Sequence, residues 1–143
     1  LYGHFTVAQD EHDKFLVPDG SGGTVDLAGN RVAGFPESTG RLALAYKPGW
    51  GRVELAARHS GRVYFDNTET KNLSVDPYEV MDLSVRYDLP WLSEDAASVK
   101  LSVNNVLDEE YETFGYVFFG QPYFIPAAER NIFVSLSFEP GRR

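Results

Sequence analysis

Cysteine is absent from the 143-residue chain, which rules out a disulfide framework and any thiolate-ligated metal. Long apolar runs are absent as well, and none approaches the about 18 residues that a membrane-spanning helix needs. Basic residues are scarce: 13 Lys and Arg stand against 21 Asp and Glu, a net charge of −8 that argues against nucleic acid as a partner. The chain opens on Leu1-Tyr2 with no Met, basic stretch or apolar segment of a signal peptide. That opening reads as mid-strand, so the expectation is a C-terminal piece of a longer protein. No Ser or Cys stands in a nucleophile motif beside His4, His12 or His59, and Gly20 to Gly23 lacks the Lys-Ser/Thr of a phosphate loop. No catalytic set, metal site or cofactor is therefore read. The acidic run Asp10-Glu11-His12-Asp13 and the pair Glu109-Glu110 are taken as solvated.

What the chain has is alternation. Six segments, at about 1–8, 38–47, 52–65, 79–89, 99–111 and 127–138, alternate apolar and polar residues with period two, as a strand with one apolar and one polar side requires. The plainest is 79–89, where Met81, Leu83, Val85, Tyr87 and Leu89 oppose Asp82, Ser84, Arg86 and Asp88. In the last, Ile132, Val134, Leu136 and Phe138 oppose Asn131, Ser135 and Ser137, with Phe133 among the polar set. Pro48-Gly49-Trp50-Gly51 reads as a tight turn.

The connections run long, short, long, short, long. Consecutive antiparallel strands then place every long loop at one end and both short turns at the other, the asymmetry of outer-membrane barrels. Tyr46, Trp50, Tyr87, Trp91 and Phe138 gather at the short-turn end, as an interfacial aromatic girdle would. Arg41, Glu54, Arg58, Arg62, Asp82, Arg86, Asp88 and Lys100 all fall opposite the apolar set. A cation on a lipid face at the bilayer midplane costs about 2–4 kcal/mol, whereas one facing a watery lumen costs little. His59 has lipid-face parity but stands far enough along its strand to reach the interface.

The order Asn104-Asn105-Val106-Leu107-Asp108-x-x-Tyr111, an aromatic loop and a final alternating strand resembles TonB-dependent outer-membrane receptors. Val106-Leu107 stands where that family more often has Leu-Phe, and Glu139 to Arg143 follow the aromatic Phe138 that resembles the family's terminal residue. Gly61-Arg62-Val63-Tyr64-Phe65-Asp66 and Asp82 to Tyr87 also look like its late strands. The resemblance implies an all-β, antiparallel up-and-down transmembrane barrel of 22 strands, with residues 1–143 as its last six. An N-terminal plug and a TonB-contacting segment would lie upstream. It further implies a transport protein of the cell outer membrane, not an enzyme. The whole would take up a scarce bulky solute such as a ferric siderophore, cobalamin or an oligosaccharide. Its partners would be the rest of the barrel, the plug, outer-membrane lipid and the TonB complex.

Within that frame Phe114, Tyr116, Phe118, Phe119, Tyr123 and Phe124 are candidates for solute contact, since rigid aromatics give contact area at low entropic cost. Packing against the plug and neighbouring loops is the other reading of the same residues. Glu54, Arg58, Arg62, Asp82 and Arg86 are expected to face the lumen. The three arginines would pair with plug carboxylates or steer an anionic chelate. Two alternatives stay open: a passive porin-like barrel, and a soluble β-domain that binds carbohydrate or protein through its aromatic loop.

Overall fold

A computed structural model describes residues 2–7, 15–91 and 97–138. Leu1 and Ala8 of the first expected strand, the acidic run 10–13, part of the second short connection and residues 139–143 lie outside them. In chain order the strands are β1 (Tyr2–Val7), β2 (Leu16–Pro18), β3 (Thr24–Asp26), β4 (Ser38–Tyr46), β5 (Gly51–Ser60) and β6 (Val63–Tyr64). After a single 3-10 turn at Lys71–Leu73 come β7 (Ser74–Val75), β8 (Tyr78–Asp88), β9 (Ala97–Asn104), β10 (Glu112–Phe118), β11 (Gln121–Pro126) and β12 (Asn131–Phe138).

One six-stranded antiparallel sheet, ordered β1-β4-β5-β8-β9-β12, forms the body. Each strand neighbours the next long one in sequence, a pure meander. Its register aligns the two faces across all six strands. One outward row runs Leu44, Leu55, Leu83, Val103, Ile132, and the matching row on the other face runs Ala45, Glu54, Ser84, Ser102, Phe133. A slip of one residue would exchange the faces, so the alternation itself pins the register. Small residues sit within the charged face: Ala43 and Ala56, paired across β4 and β5, are buried.

The apolar face is bare. Val134 is 72% exposed, Leu136 70% and Leu42 54%, and no second layer covers them among the described residues. A sandwich would bury that face at about 25 cal/mol per Å².

Three expected strands are shorter than their periodicity suggests. β5 stops at Ser60 rather than 65, although looser pairing with the chain before β4 continues, Gly61 N donating to Ser38 O at 2.7 Å and Glu37 N to Arg62 O at 3.0 Å. β9 stops at Asn104 rather than 111, because Asn105 takes a left-handed conformation (φ 53°) that ends an extended run. β12 begins at Asn131 rather than 127. The long connections are not featureless either: β2–β3, β6–β7 and β10–β11 are short hairpins inside them. Extended chain that leaves a sheet still has to pair its N–H and C=O groups, and folding back on itself does so.

Candidate functional site

The charged face of the sheet carries a set of ion pairs. Arg58 Nε donates to Asp82 Oδ2 at 3.1 Å across β5 and β8, Arg52 pairs with Glu54, and Arg86 Nε reaches Asp88 Oδ1 at 2.8 Å. Glu54, Arg58, Asp82 and Arg86 thus lie on one surface, opposite the apolar rows. Arg62 lies past the end of β5, and its guanidinium pairs with Asp76 Oδ1 at 2.6 Å and Ser74 Oγ at 2.8 Å.

The Asn105-Val106-Leu107-Asp108 corner follows. Asn105 is buried, and its amide spans the backbone of Glu109: Nδ2 donates to Glu109 O at 2.8 Å, and Oδ1 accepts from Glu109 N at 2.9 Å. Asn105 N donates to Asp82 Oδ1 at 3.1 Å, so the carboxylate that holds Arg58 also anchors the corner. Asp108, also left-handed at φ 61°, accepts from Arg130 N at 2.9 Å and from the Arg130 guanidinium at 3.1 Å. Tyr111 closes the motif against Tyr78, with ring centroids 4.3 Å apart. The alternation 99–103 gives no hint of this corner. Its signal is the Asn-Asn pair, since Asn tolerates left-handed backbone and bonds locally.

From this corner rises the β10–β11 hairpin, which holds all six aromatic candidates. Its two-residue turn is Phe119-Gly120 with both φ positive, 48° and 73°, the primed turn that matches strand twist. Two faces follow from the alternation. On one, Gly115 sits under the Phe65 ring, and Phe124 packs on that ring with centroids 5.5 Å apart. Any Cβ at Gly115 would meet Phe65 Cζ at 2.0 Å, so only glycine admits that contact. On the other, Tyr116 and Tyr123 stack at 5.5 Å and 14°, with Phe118 edge-on to Tyr123 at 6.4 Å and to Phe119 at 4.5 Å. Phe114 shares that side, and Phe119 at the tip is 90% exposed. The six therefore divide. Phe124, 44% exposed, packs against Phe65 on one side of the hairpin, and Phe114, Tyr116, Phe118, Phe119 and Tyr123 gather on its other side and tip.

The five girdle candidates lie at the opposite end. Tyr46, Tyr87 and Phe138 stand at or near the far ends of β4, β8 and β12 on the apolar side, and Trp50 in the short turn stacks on Tyr87 at 5.8 Å. Trp91, 74% exposed, ends the described part of the second short connection. Among the described residues no three His, Asp or Glu side chains cluster as metal ligands would.

A two-faced meander with ion pairs on one side, bare aliphatics on the other and long connections at one end is the wall of a membrane β-barrel. Residues 1–106 match the family model described as "TonB dependent receptor-like, beta-barrel". The chain is 30% identical over 76 residues to the vitamin B12 transporter BtuB of Vibrio cholerae, which covers 52% of this chain and 10% of that one. It superimposes on the siderophore receptor PiuA of Acinetobacter baumannii with a TM-score of 0.68 and 26% identity, covering 86% of this chain and 17% of that one. With the ferric citrate transporter FecA the TM-score is 0.67 at 20% identity, covering 78% and 18%. The chain belongs to the TonB-dependent receptor β-barrel family, and it spans about a tenth to a fifth of the length of these relatives.

Proposed function

We propose that residues 1–143 are the last six strands of a 22-stranded barrel, with a plug and a TonB-contacting segment upstream. The complete protein takes up a scarce bulky solute, such as a ferric siderophore, cobalamin or an oligosaccharide, across the outer membrane. The observation that carries this reading is the sheet itself: a six-stranded meander with one bare apolar face and every long connection at one end. At about 4.8 Å per strand it is a ribbon roughly 29 Å wide. Its edges, β1 and β12, need partners, because unpaired backbone is not tolerated in lipid.

In this reading the side of the β10–β11 hairpin that carries Tyr116 and Tyr123 meets solute at the outer mouth. Glu54, Arg58, Asp82 and Arg86 face the lumen, where the plug's polar groups meet them. Tyr46, Trp50, Tyr87, Trp91 and Phe138 sit at the periplasmic interface. Solute bound at the outer loops would be released inward when the TonB complex pulls on the plug.

The test is uptake of labelled ferric siderophores, cobalamin and oligosaccharides by cells that carry the complete receptor, with and without TonB. Uptake of one solute that stops without TonB is the expected result. Uptake that persists without TonB would establish a passive, porin-like barrel instead. Tyr116→Ala with Tyr123→Ala should weaken solute binding by at least tenfold, with barrel assembly unchanged. Undiminished binding would leave the hairpin a packing element.

A further inference from the structure

The three long connections are bonded to one another. Residues 30–37, ahead of β4, run alongside 62–69. Asn30 Nδ2 donates to Asn67 O at 2.8 Å, Ala33 N to Asn67 Oδ1 at 2.8 Å and Arg31 N to Glu69 Oε1 at 2.9 Å. Nearer the sheet, Gly34 N donates to Tyr64 O at 2.9 Å and Pro36 bridges Val63. Glu69 holds a left-handed backbone at φ 54°, which a non-glycine residue keeps only where its surroundings fix it.

The third connection is joined to the second by rings. Phe65 packs on Phe124 and fills the space over Gly115, while Tyr78 at the start of β8 packs on Tyr111 just before β10. Residues 65–69 therefore reach both neighbours: Phe65 meets the β10–β11 hairpin, and Asn67 and Glu69 hold 30–33. The same residues are fastened within their own connection, Phe65 N donating to Leu73 O at 2.8 Å and Asp66 Oδ1 accepting from Thr68 N at 2.9 Å. Burial gathers at this end too. Val75 in β7 and Val80 near the start of β8, each 1% exposed, are the largest fully buried side chains among the described residues. These contacts lie wholly within the chain, and further neighbours could only deepen that burial.

We propose that residues 65–69 brace the three connections into one unit, so that this end of the wall moves as a single lid and not as three independent loops. A cooperative unit has one opening equilibrium, so loosening either side of the brace must loosen the other. The coupling is reciprocal, as any coupling free energy is. The tip of the β2–β3 hairpin, where Asp19 Oδ1 accepts from Ser21 N and Gly23 N inside its own turn, lies outside the unit. The brace holds whether or not the β10–β11 hairpin is where solute binds.

Amide exchange on the complete receptor, referred to intrinsic rates, tests it. In the unaltered receptor, protection at Gly34, Phe65 and Ala127, whose N–H bonds Tyr111 O, should agree within about fivefold and fall in parallel as denaturant is added. Phe65→Ala removes the ring contacts with the hairpin, and should speed exchange about tenfold at Gly34, across the brace, as well as at Ala127. Asn67→Ala removes the acceptor of Ala33 N, and should speed exchange at Ala127 by a similar factor. Gly23 should be unchanged in both. Effects confined to the substituted side would overturn the proposal, and so would a wider spread of protection in the unaltered receptor. A mobility shift on boiling in SDS shows separately whether each variant assembles. Where one does not, the other variant and the unaltered receptor still decide.

Discussion

Asn105→Ala should loosen the outer end of the sheet by an amount the corner geometry allows to be worked out. The substitution removes two hydrogen bonds to the Glu109 backbone, at 2.8 and 2.9 Å, and strands both of those groups. Glu109 is exposed, so water recovers part of each loss, and the lower end of the usual range, about 1 kcal/mol per group, applies. Alanine must also hold φ 53°, which costs about 1–2 kcal/mol for a residue with a Cβ and no local hydrogen bond. The sum is about 3 kcal/mol, or roughly 100- to 200-fold in a local opening equilibrium. Amide hydrogen exchange on the complete receptor reads it at two bonds the substitution does not touch: Val106 N to Met81 O and Arg130 N to Asp108 Oδ1. Both amides should exchange roughly 100-fold faster. Asn105→Gly keeps the left-handed backbone cheap and loses only the hydrogen bonds, so its exchange should lie about tenfold nearer the unaltered protein. An increase below threefold in the Ala variant would refute the assignment of Asn105 as the corner's anchor.

Three further expectations follow from other parts of the chain. Leu83→Arg places a cation on the lipid side near mid-strand and should destabilise the folded barrel by about 2–4 kcal/mol, while Ser84→Arg next to it should cost under about 1 kcal/mol; equal losses in denaturant titrations would contradict the two-faced register. Gly115→Ala drives a Cβ into the Phe65 ring and should cost about 1–3 kcal/mol at the hairpin base, seen as faster limited proteolysis at residues 112–126 with the barrel intact; unchanged cleavage would separate the hairpin from the β6–β7 connection. In the β2–β3 turn the Asp19 carboxylate accepts from the Ser21 N–H, the Ser21 hydroxyl and the Gly23 N–H, and these bonds hold its pKa below the ordinary carboxylate value. A lowered folded pKa means the turn is fully ordered above the ordinary value and loosens as pH falls through the depressed one. Exchange at Ser21 and Gly23, referred to the intrinsic rate at each pH, should rise only in that acidic window, and Asp19→Asn should remove the dependence.

Much of the sheet was legible because strand periodicity is a local signal with a global consequence. Once Leu83 and Ser84 alternate, the side each faces is settled, and matched alternation in five partners fixes the register with no further information. The strand ends were not legible. Val63 and Tyr64 keep the alternation going past Ser60, and Pro36 still bridges Val63, yet the two form a separate strand with β7, and nothing in the period distinguishes one strand from two. The aromatic segment shows the same blindness from the other side. Phe114, Tyr116 and Phe118 alternate as a strand does, and Gly120 supplies a turn residue, but reading the segment as a loop hid the hairpin. That one side of it packs on Phe65, some fifty residues away in the chain, is a contact no local pattern encodes.

The clasp between Asp108 and Arg130 joins positions 22 residues apart, just where Asn104 and Asn131 pair at the sheet's end. The chain between them is therefore a cassette. Its entry and exit are held by groups outside it, so residues 112–126 can be lengthened, shortened or swapped while the register of β9 and β12 stays as it is. Selection on what the receptor captures can then act on the cassette and leave the wall that carries it alone. Receptors that share this clasp should differ most between its two halves and least on either side.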